Sequence, residues 1–421
     1  MPIDKHGVAA ELESNVERIQ AYLEDDTGIV ERYRDVFQRL PDEWTSEEIR
    51  AKLQDTSYPG AYPTDEFDDV DSIIVPHLES DEWDNHEEVN EWAREILQNV
   101  PAMAVDGSQL PPTTSFNVPL AYVQAAWATN HHHPDGRLER GVEGRLLTPD
   151  EVTQESGDGD YRFVDPQLVG HHRFEHEGQL LIEQIVELAD ARDAGDIGQT
   201  PVVFYDGPLI ASFTNPLKPE TRERYISTLS RIIAASHHHE IPLVGYVAGS
   251  SATELVKMTR LLLRDEFGTD RVIPDAHVLT EMMSPWGDTT IPFISKRDGS
   301  VDALQATYQG ESYEFRDDIL FSYLNVPPGT GLDRIEFPGW LCRRDGPDGY
   351  ESMYEYTVEI ARAEAGIGRG YPEILQQADS DAVLDHQDRQ QFYRIVQRWA
   401  ESNDVPIEWN AKALSKELRR R

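Results

Sequence analysis

The chain has 421 residues and carries 38 Lys and Arg against 78 Asp and Glu, which gives a formal net charge of −40. At about 150 residues per domain, this length predicts two or three domains. Hydrophobic residues make up 39% of the chain and eight residues are Trp, so a wholly disordered chain is excluded.

The acidic composition is typical of a protein from a halophilic cytoplasm. Only seven of the basic residues are lysines. At about 1 M salt the Debye length falls to about 3 Å, which largely screens the self-repulsion of such a chain. Strong acidity ordinarily argues against nucleic-acid binding, which uses Lys and Arg to neutralise phosphate. In molar salt this argument is weak, and a DNA contact would use local arginines, bound metal and backbone amides.

The single cysteine, Cys342, excludes an internal disulfide framework and a cysteine-based zinc site, and it favours a reducing compartment. The first residues are polar and acidic, and no apolar run approaches 18 residues. We therefore expect neither a signal peptide nor a membrane span, and a cytoplasmic location.

The first predicted elements are helical. Residues 1–99 contain helical patterns, interrupted by a loop rich in Pro, Tyr and Asp at 58–71, and end with a helix over 87–98. A short apolar strand over 100–105 then leads into Asp106-Gly107-Ser108, where glycine predicts a tight turn.

A predicted hairpin follows, with arms at 118–128 and 142–147, and apolar residues at helical spacing then predict a long helix over 172–191. The buried-type strand 201–205 again runs directly into Asp-Gly, at Asp206-Gly207. After it we expect a helix over 219–237, a strand over 242–247 and a helix over 252–264.

From residue 100 the predicted order is three strands, helix, strand, helix, strand, helix, which is the order of the RNase H-like fold. A doubly wound sheet, the competing interpretation, would alternate strand and helix from its start. Further strands are predicted near 291–294, 319–325 and 334–337, followed by two C-terminal helices.

The predicted fold class is therefore α/β, an RNase H-like core of a mixed sheet flanked by helices, with a helical N-terminal region and a C-terminal extension. The predicted boundaries are 1–99 for the helical region, 100–400 for the main domain and 401–421 for a tail. Within the main domain, the core spans about 100–267 and a C-terminal portion spans 268–400.

Asp106 and Asp206 follow two separate buried strands and would lie side by side if those strands pair. The helix between them offers Glu183 and Glu187, four residues apart and so on one face, and we prefer Glu183 as the third carboxylate, with Glu187 as its substitute. Two Mg²⁺ or Mn²⁺ ions about 3.5–4 Å apart on such ligands can stabilise the attacking and leaving oxygens of a phosphodiester. The ordinary interpretation of each Asp-Gly pair, considered alone, is a turn. The ordinary interpretation of Glu183 or Glu187 is a solvated residue on an amphipathic helix.

The chain resembles the NurA family, archaeal nucleases that act with the hexameric HerA ATPase in processing DNA ends. The resemblance runs from about 100 to 400. It is carried by AVDGSQL at 104–110, LLIEQIVELA at 180–189, VVFYDGPL at 202–209, PLVGYVAGSSATEL at 242–255, FSYLNV at 321–326, RIEFP at 334–338, and GYP at 370–372 followed by EILQQAD.

The resemblance implies that Asp106, Glu183 and Asp206 bind metal and that Tyr371 belongs to the site. Two positions depart from the family pattern. Asp379 stands where the family usually has histidine, eight residues after that tyrosine, and it can still bind metal but cannot act as an imidazole base. Ala248 stands where the family commonly has lysine, which removes a phosphate contact.

The function implied is a metal-dependent DNA nuclease, an exonuclease with a 5′-end resection role in double-strand break repair. It would use a metal-activated water and two Mn²⁺ or Mg²⁺ ions, and would work as a homodimer with a HerA-type ATPase. One alternative is a catalytically weakened DNA clamp or scaffold in the same complex. Another is a metal phosphohydrolase acting on small molecules.

Two other features carry less weight. The histidine runs 131–133, 171–172 and 237–239 fall in predicted loops or at helix ends, where solvated polar residues are the ordinary interpretation, although imidazole also binds zinc and manganese. The glycine-rich segment 327–331 lacks the Lys-Ser/Thr ending of a nucleotide-binding loop, so we expect no ATPase in this chain.

Overall fold

The computed structural model describes residues 4–77, 83, 85–113, 116–156, 159–267, 272–284, 286–326 and 331–408. The segment 327–330 of the glycine-rich candidate and residues 409–421 of the expected tail lie outside these residues. No helix within the described ranges is both long and apolar enough to cross a membrane.

The helices of the described residues are, in chain order, α1 Lys5–Ser14, α2 Val16–Glu43, α3 Ser46–Leu53, α4 His86–Leu97, α5 Pro149–Val152, α6 Pro166–Ala194, α7 Pro219–His239, α8 Glu254–Leu262, α9 Arg264–Phe267, α10 Asp275–Leu279, α11 Gly299–Asp302, α12 Trp340–Arg343, α13 Met353–Ile367, α14 Glu373–Ala382 and α15 His386–Ser402. Short 3-10 helices span Asp65–Asp69 and Ser212–Thr214.

The strands of the same residues are β1 Gly60–Pro63, β2 Ile74–Val75, β3 Ala102–Leu110, β4 Ala121–Asn130, β5 Leu138–Leu147, β6 Thr153–Glu155, β7 Arg162–Val164, β8 Val202–Asp206, β9 Leu243–Val247, β10 Thr289–Thr290, β11 Phe293–Lys296, β12 Gln305–Tyr308, β13 Glu311–Glu314, β14 Ile319–Leu324 and β15 Asp333–Pro338.

The chain forms two compact units that do not coincide with the predicted segments. The first comprises 1–82, 248–299 and 320–334, and the second comprises 83–247, 300–319 and 335–421. The division differs because the strands β1 and β2 interrupt the N-terminal region that we expected to be helical, and they pair with β11 and β10 from much later in the chain.

The first unit is built on these antiparallel strands. β1 and β14 both pair with β11, and β10 pairs with β2 and β14. Its core combines Tyr33 and Phe37 of α2, Leu255 of α8, and the strand residues Phe293 and Phe321. A buried carboxylate, Glu254, pairs with Arg334 and Arg297.

The second unit carries the RNase H-like topology. Its strand order is β15-β9-β8-β3-β4-β5. β4 runs antiparallel to both β3 and β5, whereas β8 runs parallel to both β3 and β9. An antiparallel meander followed by two parallel strands, each reached through a helix, is the order expected from the sequence and excludes the doubly wound alternative.

Long helices cover this sheet because its central strands are apolar on both faces. Met103, Val203 and Leu243 of β3, β8 and β9 are fully buried and belong to one core with Ile185 of α6 and Ile233 of α7. α6 and α7 pack against each other, and α14 packs on β3 and β4. The strand ends therefore lie between helices that contribute polar side chains.

Candidate active site

Asp106 and Asp206 lie on adjacent parallel strands. The register of β3 and β8 pairs Val105 with Tyr205, so the two aspartates occupy the next position of each strand. We expected β3 to end at residue 105. It continues to Leu110 because its whole length pairs with β4. Asp106 is therefore held inside a strand, while Asp206 is the last residue of β8.

Asp379 joins these two aspartates from α14. Its carboxyl group shares a hydrogen bond with that of Asp106. Burial, together with the charges of Asp206 and Asp379, raises the pKa of Asp106 to about 6. Carboxylates that share a site repel one another and hold a proton in the absence of a cation. The Asp379 that replaces the family's histidine thus contributes a further carboxylate to the cluster.

Tyr371 positions Asp206. Its hydroxyl donates a hydrogen bond to the Asp206 carboxylate, and burial together with the nearby charges of Asp206, Asp106 and Asp379 raises the tyrosine pKa. The ring packs edge-on against Tyr246, with 5.5 Å between the ring centroids. Tyr371 therefore stays protonated and acts as a donor to the cluster.

The structure places Glu183 away from these groups. Glu183 and Glu187 are exposed, and Glu183 accepts a hydrogen bond from Gln179 on the same helix. Glu177 of α6 instead lies by the aspartates: burial, aided by the charges of Asp106 and Asp206, raises its pKa to about 7. Six residues separate Glu177 from Glu183, which is about 600° of helix and turns the two side chains about 120° apart.

The Glu177 carboxylate crosses β3 at a glycine. A Cβ added to Gly107 would lie 2.0 Å from Glu177 Oε1, so any other residue here would displace the glutamate. Arg173, one turn earlier on α6, pairs with Glu177 at 2.8 Å and donates to the Gly107 carbonyl at 2.8 Å. The Asp106-Gly107 sequence therefore serves the approach of α6 rather than the tight turn expected from it.

The loop after β8 is held by a buried glutamate. Glu336 of β15 is fully buried and accepts hydrogen bonds from the backbone amides of Leu209 at 2.9 Å and Ile210 at 3.3 Å. Gly245 of β9 lies against the same loop, since a Cβ there would be 2.7 Å from the Gly207 carbonyl oxygen. These contacts fix the backbone that carries Asp206.

Sequence reasoning missed Glu177, Arg173 and Glu336. Three of the six residues of β15, DRIEFP, are charged, and charged residues in a strand of the central sheet are the available signal of a buried role for Glu336. Glu177 has no such signal, because α6 also carries Glu175, Glu183 and Glu187, and the helix phase that selects among them is set by packing.

The histidine runs are less solvated than expected. His132 is paired with the buried Glu364 at 3.0 Å, and Glu364 also accepts from the backbone amide of Ile374 at the start of α14. His171 is fully buried within α6 and not at a helix end. His238, in the last turn of α7, contacts Tyr313 of the hairpin β12–β13 at 2.9 Å. Tertiary packing explains each departure from the solvated interpretation.

The donor set fits hard divalent cations. Three aspartates converge with a glutamate beside them, and burial together with the negative charges of Asp206 and Asp379 raises the pKa of Asp106. Arg173 pairs with Glu177, at one side of the group. Mg²⁺ and Mn²⁺ prefer such carboxylate oxygens, and their charge would relieve the repulsion among them.

Among the comparisons with known proteins, the match to a family model is the informative one. The sequence model of a family described as the NurA domain matches residues 101–384, about two thirds of the chain. Among solved structures, the catalytic domain of human Endonuclease V is 14% identical, with 79% of this chain and all of that chain covered and a TM-score of 0.31. A score this low does not define a shared fold, so the fold rests on the strand order. No curated protein matches the chain.

Proposed function

The chain belongs to the NurA family of nucleases, and on that premise we propose that it hydrolyses phosphodiester bonds of DNA with two divalent ions, Mn²⁺ or Mg²⁺. The observation that carries the proposal is the convergence of Asp106 of β3, Asp206 at the end of β8 and Asp379 of α14, where burial together with the neighbouring carboxylates raises the pKa of Asp106. Asp106, Asp206 and Asp379 would hold the ions, with Glu177 as the fourth carboxylate.

When bound, the ions would supply an activated water and neutralise charge on the scissile phosphate. The chain's own groups prepare the site for this. Tyr371 orients Asp206 through its hydroxyl, and Arg173 fixes both Glu177 and the backbone of Gly107. Glu336 holds the loop that follows Asp206. A pre-set group of ligands loses little entropy when substrate and metal bind.

The Asp379 and Ala248 departures raised the alternative of a weakened DNA clamp. We favour an active enzyme because Asp379 reaches Asp106 and adds a metal-binding oxygen where imidazole would have been. Ala248 follows β9 and is exposed, so its effect would fall on phosphate contact rather than on the ligand set.

We further propose the physiological setting implied by the family: exonucleolytic 5′-end resection in double-strand break repair, as a homodimer with a HerA-type ATPase, in a halophilic cytoplasm. The ATPase would supply the energy for DNA translocation. The clamp and the small-molecule phosphohydrolase remain as outcomes of the test that follows.

Substrate choice tests this function. Wild-type protein is incubated with linear DNA, covalently closed circular DNA and a small chromogenic phosphodiester, with Mn²⁺ and with EDTA. We expect Mn²⁺-dependent loss of linear DNA, a slower effect on circles, and little turnover of the small ester. Preferred turnover of the ester would favour the phosphohydrolase. DNA binding without cleavage, even with the ATPase present, would favour the clamp.

A further inference from the structure

A second cluster of metal-binding side chains lies on α6, at residues that the proposed nuclease function does not use. His171, His172 and Glu175 each place a potential donor atom within 4.8 Å of the others. The cluster combines two imidazoles with one carboxylate, unlike the all-oxygen group at the strand ends.

The buried histidine of this cluster contacts Glu175 at ion-pair distance but, within the described part of the chain, forms no hydrogen bond through its ring nitrogens. His171 has no exposed surface, and neither of its ring nitrogens has a hydrogen-bond partner among the described residues. Buried polar groups in native proteins are nearly always satisfied, and each exception needs a physical cause. A neutral imidazole is also the commonest ligand of transition metals.

The donor separations are those of ligands around one ion. Nδ1 of His171 lies 3.4 Å, and Nδ1 of His172 3.5 Å, from Oε2 of Glu175. Two bonds of about 2.1 Å at a tetrahedral angle place their donor atoms about 3.4 Å apart. Both separations lie within the distance of a histidine–carboxylate ion pair but are longer than an ordinary hydrogen bond of about 2.7–3.2 Å.

The helix explains how consecutive histidines reach one carboxylate. Glu175 is four residues after His171 and three after His172, the two spacings that bring side chains together on a helix. The histidine rings are 5.7 Å apart between centroids, and their planes are inclined by 62°. Consecutive side chains on a helix ordinarily point in different directions, but both of these histidines approach the same carboxylate.

A polar cavity between α6 and α7 gives an ion access to Glu175. It is lined by Glu175, Glu220 and Glu223 together with Arg145, Arg224 and Arg231. The charge of Arg224 opposes a cation near His171, and over the whole cavity the three arginines are balanced by three glutamates, with Glu175 included.

We propose that His171, His172 and Glu175 form a zinc-class transition-metal site, separate from the carboxylate cluster. Three protein donors leave the fourth tetrahedral position to water. The ion would cross-link the early turns of α6, which also carries Arg173 and Glu177, and would thereby stabilise the helix that supports the catalytic group. It takes no part in the hydrolysis.

Metal counting in a background without the catalytic aspartates tests this site. Full-length Asp106→Asn/Asp206→Asn protein is dialysed against micromolar Zn²⁺, and bound zinc is counted by mass spectrometry. The same background then receives His172→Gln/Glu175→Gln, or His176→Gln as the matched control, because His176 lies on the same helix and contacts the Glu143 carbonyl instead.

We expect one bound zinc ion per chain in the background and in the His176→Gln control, and its loss in His172→Gln/Glu175→Gln. The zinc-dependent rise in melting temperature should disappear with it, and Co²⁺ should give the visible absorption bands of a low-coordinate nitrogen-containing site. Equal zinc counts in all three proteins, or no zinc in the background protein, would overturn the proposal. Because cleavage is not measured, failure of the nuclease function leaves this result unaffected.

Discussion

At the scale of single residues, the carboxylate cluster around Asp106 is defined by which acidic side chains are close to one another. Asp106 shares a hydrogen bond with Asp379 and lies near the charge of Asp206, and burial together with the charges of Asp106 and Asp206 raises the pKa of Glu177. Glu183, the carboxylate preferred from the sequence, is exposed on another face of the same helix. Substitution of Glu177 and, separately, of Glu183 therefore tests which of the two glutamates belongs to the site.

We predict that Glu177→Gln lowers Mn²⁺-dependent cleavage by about 10-fold to 100-fold, which is the loss typical of residues that support a metal site. Glu183→Gln, the control on the same helix, should retain activity close to wild type. The measurement is kcat/KM for a short labelled duplex, with the melting temperature as a check of folding. Wild-type activity in Glu177→Gln combined with loss in Glu183→Gln would restore the original assignment.

Tyr371→Phe removes the hydroxyl that donates to Asp206 but keeps the ring that packs on Tyr246. We expect about 10-fold to 100-fold weaker Mn²⁺ binding or activity, with little change in melting temperature. Tyr161→Phe serves as a control because Tyr161 is largely exposed. An unchanged Mn²⁺ titration curve for Tyr371→Phe would contradict the positioning role.

The raised pKa values of Asp106 and Glu177, about 6 and about 7, predict the pH dependence of metal binding. Metal needs the deprotonated carboxylates, so affinity should fall by about tenfold per displaced proton for each pH unit below these values. Calorimetric Mn²⁺ titrations between about pH 5.5 and pH 8 test this. A constant affinity across that range would contradict it.

The raised pKa values of Asp106 and Glu177 also predict how the stability of the metal-free protein changes with pH. The folded protein holds these two protons more tightly than the unfolded chain does, so their contribution to stability is lost as pH rises from about 4 through 6 and 7. Added Mn²⁺ should therefore raise the melting temperature more at pH 8 than at pH 5.5.

At the scale of elements, the strands of the core could be predicted because β8, β9 and the first part of β3 are short apolar runs, although the far end of β3 was missed since it is held by pairing with β4. The order of strands and helices from residue 100 therefore identified the RNase H-like topology. β1 and β2 were not predicted, since each is very short and acquires its pairing only from β11 and β10, more than 200 residues away.

The candidate site could be predicted where position along the chain determines position in space. Asp106 and Asp206 follow from parallel pairing of β3 and β8, while Tyr371 and Asp379 were assigned by family resemblance and lie close to them. The rotation of α6 is set by long-range contacts, such as the close approach of Gly178 to Thr228 of α7. No pattern within the helix distinguishes Glu177 from Glu183.

The packing of β9 against the loop after β8 makes a prediction for Gly245. Gly245→Ala places a Cβ 2.7 Å from the Gly207 carbonyl oxygen, so the Asp206 loop must shift. We expect a loss of about 1–3 kcal/mol in the free energy of unfolding together with reduced cleavage. Gly198→Ala is the control, because nothing lies within 4 Å of an added Cβ there. Urea unfolding in high salt measures the stability of both variants. Equal stability of Gly245→Ala and Gly198→Ala would contradict the argument.

At the scale of the whole molecule, the net charge of −40 predicts dependence on salt. Raising KCl from about 0.1 M to about 3 M shortens the Debye length to a few ångströms and screens the self-repulsion. We expect the melting temperature to rise across this range, and a neutral osmolyte of matched osmolality to reproduce only part of the rise. A melting temperature that falls with KCl would contradict adaptation to a halophilic cytoplasm.

The central claim is that the carboxylate cluster around Asp106 is a metal-dependent DNA nuclease centre. Its most direct test is cleavage of end-labelled linear DNA in multimolar KCl with Mn²⁺, comparing wild type with Asp106→Ala and adding EDTA as a control. We predict cleavage by the wild type that EDTA abolishes and that Asp106→Ala lacks while keeping its fold. Cleavage retained in folded Asp106→Ala, or no cleavage by the wild type even when a HerA-type ATPase is added, would contradict the claim.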